Sequence, residues 1–130
     1  MAVNYTIGDT LIRLKNASAV FKREVEVDNF KIIRAVLDAL KRAGFIDGYE
    51  ETQDGKKLKV FLKYRDKYTP YIENVKFFSK PGRRLYVRVK ELTPVRSGVG
   101  VVLISTPKGI LTSTEAKKEN VGGEIICEIW

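Results

Sequence analysis

Apolar residues recur at helical spacing along the first part of the chain. Ile7, Leu11 and Leu14 fall four and three apart on one stripe. This predicts a short helix with Asn4 as its N-cap, ending at Asn16-Ala17-Ser18. A second stripe, Phe30, Ile33, Val36, Leu37 and Leu40, predicts a helix capped by Asp28 or Asn29. Lys41 and Arg42 complement the dipole in its last turn, and Gly44 stops it. Between the helices, Val25 and Val27 alternate with Glu24 and Glu26, as in a short strand. From Phe45 the period becomes two. Phe45 to Gln53 and Lys57 to Tyr64 read as strands joined by an Asp54-Gly55 hairpin turn. Leu58, Val60 and Leu62 share one face of the second strand; Lys57, Lys59, Phe61 and Lys63 share the other.

Arg65 to Pro70 is polar, charged and closed by proline, the pattern of a linker. Beyond it the chain is mostly strand: Ile72 to Phe78, a turn at Lys80-Pro81-Gly82, Arg84 to Lys90, Gly98 to Ser105, and Glu124 to Ile129. Thr106-Pro107-Lys108-Gly109 forms a tight loop. Thr112 and Glu115 have capping-box spacing, which starts a short helix that ends near Asn120. The expected fold class is α+β with two small domains. Residues 1–64 carry two helices and a short sheet, residues 65–70 the linker, and residues 71–130 a mostly antiparallel β domain with one short helix.

At 130 residues with 44% hydrophobic positions, the chain is long enough for a real core. No apolar run approaches the roughly 20 residues that span a bilayer. Met1-Ala2-Val3-Asn4 opens no secretory signal, and Cys127 has no second cysteine to pair with. A cytoplasmic protein with no membrane partner is expected. Charge changes the picture most. Lys+Arg number 24 against 16 Asp+Glu, a net charge of +8. Such an excess attracts polyanions, and counterion release from neutralised phosphates drives much nucleic-acid binding.

Enzyme chemistry is hard to build from these residues. The chain has no histidine, which excludes Ser-His-Asp and Cys-His sites. Zinc-ligand spacing, an EF-hand loop, a Walker sequence and a GxGxxG loop are all missing, so no metal and no cofactor is expected. Cys127, between Ile126 and Ile129, reads as a packed core thiol rather than a nucleophile. Nucleic-acid features are more numerous. Lys56, Lys57, Lys59 and Lys63 charge one hairpin; Lys80, Arg83, Arg84, Arg88 and Lys90 charge another, with Tyr86 among them. An aromatic ring within a basic surface can stack on an unpaired base. Each cluster alone reads better as a solubilising strand face; their occurrence on both sides of the linker, with the net charge of +8, turns the balance toward binding. In Ser105-Thr106-Pro107-Lys108-Gly109, hydroxyls, a lysine and a glycine on a stiff turn suit sugars and base edges, although an ordinary hairpin turn has the same residues. Glu124, after Gly122-Gly123, can accept from a base amine or hold a nearby cation in a salt bridge.

The segment Gly98 to Thr112, with Glu115-Ala116-Lys117 and Val121-Gly122-Gly123-Glu124, closely resembles the family of bacterial small-subunit ribosomal protein eight. Ile12-Arg13-Leu14-Lys15-Asn16-Ala17, Gly44-Phe45-Ile46, Ser79 to Arg84 with Tyr86, and Trp130 extend the resemblance over essentially the whole chain. It implies a two-domain α+β fold and a structural role in the small subunit. It also implies direct binding to the central domain of small-subunit ribosomal RNA during assembly of the platform. The implied RNA-binding residues are Ser105, Thr106, Lys108, Gly109 and Glu124, with Tyr86, Lys80, Arg83 and Arg84 beside them, and Arg13, Lys15 and Asn16 as a second contact. Implied partners are that RNA, neighbouring ribosomal proteins including ribosomal protein five, and in some members their own messenger RNA. Outside the ribosome a monomer is expected. One departure is Pro107, where the family commonly has serine: proline removes a hydroxyl and an N–H, so it is left out of the site. The hypothesis that it fixes the loop before binding is contradicted if Pro107→Ser binds the same RNA markedly more tightly.

Two other readings use the same residues. One is a translational repressor whose main target is messenger RNA. The other is an RNA-modifying enzyme with a small-molecule cofactor, against which the missing histidine and phosphate loop both count. A protein–protein adaptor is a third and weaker one.

Overall fold

In the computed structural model, which describes residues 3–79, 82–88, 90 and 100–130, the apolar stripes become buried faces. Helix α1 (Val3–Ala19) buries Ile7, Leu11 and Leu14, and α2 (Lys31–Arg42) buries Ile33, Val36, Leu37 and Leu40. Both pack on a sheet of β1 (Glu24–Asp28), β2 (Ile46–Glu51) and β3 (Lys57–Leu62), ordered β1-β3-β2 and antiparallel throughout. Leu58, Val60 and Leu62 face the helices, as their alternation predicts.

Three helix ends share one device. Phe21, Gly44 and Asn120 adopt left-handed φ angles of 59°, 83° and 56°. At each, the next residue's N–H reaches back five positions to a helix carbonyl: Lys22 to Ala17, Phe45 to Leu40 and Val121 to Ala116. Glycine and asparagine accept this conformation readily; Phe21 is bulky and is held there by stacking on Tyr64. Helix starts depart from expectation. α1 already runs through Asn4, so that residue lies within the first turn rather than before it. The N-cap of α2 is Phe30, half exposed and without a side-chain cap. Asp28 instead binds Lys57 at 2.5 Å, and Asn29 donates to Glu51 and to the Gly55 carbonyl. Both candidate caps are thus drawn to the β2–β3 hairpin.

Tyr64–Asp66 (β4) and Thr69–Pro70 (β5) pair as a small hairpin, so the stretch read as a linker carries structure of its own. The C-terminal sheet contains β6 (Val75–Phe77), β7 (Tyr86–Val87), β8 (Val101–Thr106), β9 (Gly109–Thr112) and β10 (Gly123–Ile129). Its order is β6-β10-β8-β9, with β7 also on β10, and every pairing is antiparallel. A short helix, α3 (Ser113–Glu119), covers it. This is the expected α+β class. β6 and β7 are shorter than their alternation suggests. Lys80-Pro81, Val89 and Gly98-Val99, which the sequence places in a turn and strands, lie outside the described residues.

Val101 to Ile104 are buried without a break, because β8 is covered on both faces. Leu103 joins a core with Ile7, Leu14, Leu37, Val60, Ile126 and Ile129, contributed by both halves of the chain. Ile104 and Val102 pack with Ala116 under α3. Cys127 is fully buried in the larger core, and burial pushes its thiol well above the ordinary range, as suits a packing residue.

Candidate nucleic-acid interface

The exposed end of the C-terminal sheet brings together residues far apart in sequence. Glu124 on β10 stands opposite Ser105 on β8 and, on its other side, opposite Tyr86 on β7. Directly opposed residues in antiparallel strands share a face. A ring, a carboxylate and a hydroxyl therefore form one row, about 10 Å across at two strand spacings. Tyr86 is 69% exposed. Glu124 is mostly covered and accepts from Arg84 Nη1 at 3.2 and 3.5 Å, so the salt bridge foreseen as its plain role is present. Among the described residues the Ser105 hydroxyl carries no hydrogen bond.

Beyond Ser105 the chain turns. Pro107 and Lys108 form the corner between the paired residues Thr106 and Gly109. Proline's fixed φ suits the first corner position, and Gly109 closes the turn at φ 109°, a conformation that favours glycine. The Thr106 hydroxyl donates to the Gly109 carbonyl at 2.8 Å and accepts from Lys108 N–H at 3.1 Å. It is mainly a pin of the turn. Lys108 projects outward, within 3.2 Å of Glu119 on α3; both side chains are half exposed, so the pair is weak.

On the same face as Ser105, a pocket of about 330 Å³ opens between the turn and α2, lined by Lys31, Ile32, Ala35, Ser105, Gly109 and Ile110. Among the described residues no cluster of carboxylates or thiol is placed to hold a metal ion. Nor, among those residues, is any helix long and apolar enough to cross a membrane. A face built of one exposed ring, exposed arginines and a pinned hydroxyl turn can stack, donate and neutralise.

Comparison with known proteins decides what kind of protein carries this face. The model of the family "Ribosomal protein S8" matches residues 5–130. A small ribosomal subunit protein uS8 from Kosmotoga olearia is 48% identical, covering 95% of this chain and 96% of the relative. Those from Rippkaea orientalis and Thermus thermophilus are 47% and 46% identical, the first over the full length of both chains and the second over 95% of this chain. The chain belongs to the ribosomal protein S8 family. As such it is a structural ribosomal protein and not an enzyme.

In this S8 chain the remaining expected contacts divide. Arg83 and Arg84 are exposed beside Tyr86, and Lys80 lies outside the described residues. Arg13, Lys15 and Asn16 lie on α1, apart from the row, where Arg13 pairs with Asp9 at 3.2 Å. Two lysines of the β2–β3 hairpin have acidic neighbours on the adjoining strands. Lys57 binds Asp28, and Lys59 lies in register between Glu26 and Glu50.

Four residues outside the expected RNA-binding set build the face. A Cβ at Gly123 would stand 2.1 Å from the Ser105 carbonyl oxygen, so only glycine lets β10 reach β8 beside the turn. Buried Ser79 accepts Leu85 N–H at 3.0 Å and donates to the Ile125 carbonyl at 2.6 Å, which fixes the strand carrying Tyr86. Arg42 grips Glu115 with two bonds, 2.6 and 3.2 Å, and donates to the Ile110 carbonyl at 3.2 Å. This holds β9 against α2. Glu115 meanwhile completes the foreseen capping box with Thr112, and the Arg42 bond lowers its pKa. Lys31 is the fourth, on the pocket rim. Gly123 and Ser79 fall in segments that carried the family resemblance, Arg42 was legible only as a helix-end cation, and Lys31 left no trace.

Proposed function

We propose that this chain is a structural component of the cytoplasmic small ribosomal subunit that binds the central domain of its ribosomal RNA through the Tyr86–Glu124–Ser105 row and the adjoining turn. The observation that carries this is the register of β7, β10 and β8, which lines up an exposed ring, a held carboxylate and a hydroxyl beside exposed cations. Tyr86 stacks on a base. Glu124, oriented by Arg84, accepts from a base amine. Ser105 and the Gly109 backbone meet sugars or base edges, and Arg83, Arg84, Lys80 and Lys108 neutralise phosphates. The apolar pocket beside Ser105 gives an unpaired base a place to lie. Arg13, Lys15 and Asn16 make a separate contact from α1.

The two halves, residues 1–64 and 71–130, are the domains of this design, joined through 65–70 and packed on a shared core. Neighbouring subunit proteins, ribosomal protein five among them, dock on other faces, and the chain is monomeric before assembly. The same row serves for repression when the chain's own messenger RNA presents the same shape. Binding to a central-domain fragment against an unrelated RNA of equal length, over a salt series, tests the reading. Selective binding that falls steeply with salt is expected, and its messenger RNA should compete for the same site. Affinity that stays flat between low and moderate salt contradicts it.

A further inference from the structure

The segment between the two sheets carries a surface that the Tyr86 row does not use. β4 and β5 pair through Tyr64–Pro70 and Asp66–Thr69, and the base of this hairpin is fastened at both ends. The Tyr64 hydroxyl donates to the Lys22 carbonyl, and its ring stacks on Phe21 with centroids 5.5 Å apart. Tyr71 N–H donates to the Lys63 carbonyl at 3.2 Å, and its ring meets Phe45 edge-on. Lys63 Nζ and the Arg65 guanidinium lie over the Tyr71 ring at 4.7 and 4.8 Å, so both cations are placed rather than free to roam.

The tip is Asp66-Lys67-Tyr68. Asp66, the hairpin's carboxylate, accepts Tyr68 N–H at 2.8 Å and so shapes the turn. Tyr68 is 82% exposed, the most exposed of the large hydrophobic side chains among the described residues. A stiff hairpin thus presents a bare ring flanked by Lys63, Arg65 and Lys67. Stacking on an unpaired base while cations track the backbone uses this arrangement directly, and a fastened base reduces the ordering cost. A protein partner fits less well. The apolar surface at the tip is one ring, and three cations face a single engaged carboxylate.

We propose that the Tyr64–Pro70 hairpin is a further RNA contact, apart from the row and from α1, in which Tyr68 stacks on an unpaired base and Arg65 and Lys67 neutralise the flanking phosphates. It rests on the reading of the chain as a ribosomal-RNA-binding protein.

The test uses the full chain and intact bacterial small-subunit ribosomal RNA, with Tyr68→Ala, Tyr68→Trp and the double change Arg65→Gln with Lys67→Gln. Tyr68→Ala should weaken binding roughly tenfold and Tyr68→Trp should restore it, since either aromatic ring stacks. The double change should flatten the salt slope by about 1.5, the share of two phosphates. A photo-crosslinker at position 68 should label RNA at nucleotides distinct from those that Glu124→Gln leaves unprotected. Unchanged affinity in folded Tyr68→Ala, or crosslinks that fall only on another ribosomal protein in assembled subunits, overturns the proposal. The two readings fail separately. Loss with Tyr68→Ala but none with Glu124→Gln keeps the hairpin and removes the row as the main site. Equal weak binding to every RNA by all variants removes both.

Discussion

Gly123 has no room for a side chain, since a Cβ there would lie 2.1 Å from the Ser105 oxygen and 3.1 Å from the Thr106 Cα. The obstruction is backbone, which cannot swing aside as a flexible side chain would. Gly123→Ala must therefore part β10 from β8 next to the turn, at a cost of roughly 1–3 kcal/mol or more. Chemical denaturation should show that loss, and RNA affinity should fall further than stability alone explains, because Ser105 and Glu124 are no longer side by side. Wild-type stability in the alanine variant would mean that the strands are not this close. Cys127 makes a contrasting case. It is fully buried and its thiol is held protonated, so a thiol reagent should leave it untouched in the native protein and label it only on unfolding. Its core role was legible from its apolar neighbours, Ile126 and Ile129, in an expected strand. The need for Gly123 was legible only as a glycine pair, because a backbone approach between distant strands leaves no periodic signal.

Among the elements, β9 is fixed from both ends. Its first residue closes the Thr106–Gly109 turn, and its last, Thr112, caps α3 in a box with Glu115. Arg42 ties that box to α2. The Thr112/Glu115 spacing announced the box because capping is local. The Arg42 grip crosses seventy-odd positions and has no local pattern, so it could be found only in the fold. Likewise Asp28 and Asn29 are good local caps whose side chains a neighbouring hairpin captured. Glu115's pKa is lowered in the folded state, first by Arg42, so this pair stabilises fully at neutral pH and above the ordinary glutamate range. The contribution is lost as pH falls through the depressed value. Glu115→Gln, which keeps the capping shape, should cost about 1 kcal/mol at neutral pH. The gap from wild type should close in acid. Urea unfolding across pH checks this, and a gap that persists at low pH contradicts it.

At the scale of the whole molecule, an excess of eight positive charges is not spread evenly. The outer face of the N-terminal sheet alternates Glu24, Glu26 and Asp28 with Lys57 and Lys59, whereas the β7 edge shows Arg83, Arg84 and Arg88 around an exposed ring. Composition revealed the excess, and family-specific residues pointed to the turn and Glu124; only the fold could show which lysines are already matched. The account stands on the row across β7, β10 and β8, and Glu124→Gln tests it most directly. This change keeps size and burial, removes the charge of the carboxylate proposed to accept from a base, and loosens Arg84. Measured against a central-domain ribosomal RNA fragment at fixed salt, the variant should stay folded and bind roughly tenfold or more weakly, with affinity for unrelated RNA unchanged. Wild-type selectivity in the folded variant would contradict the assignment of this row as the recognition site.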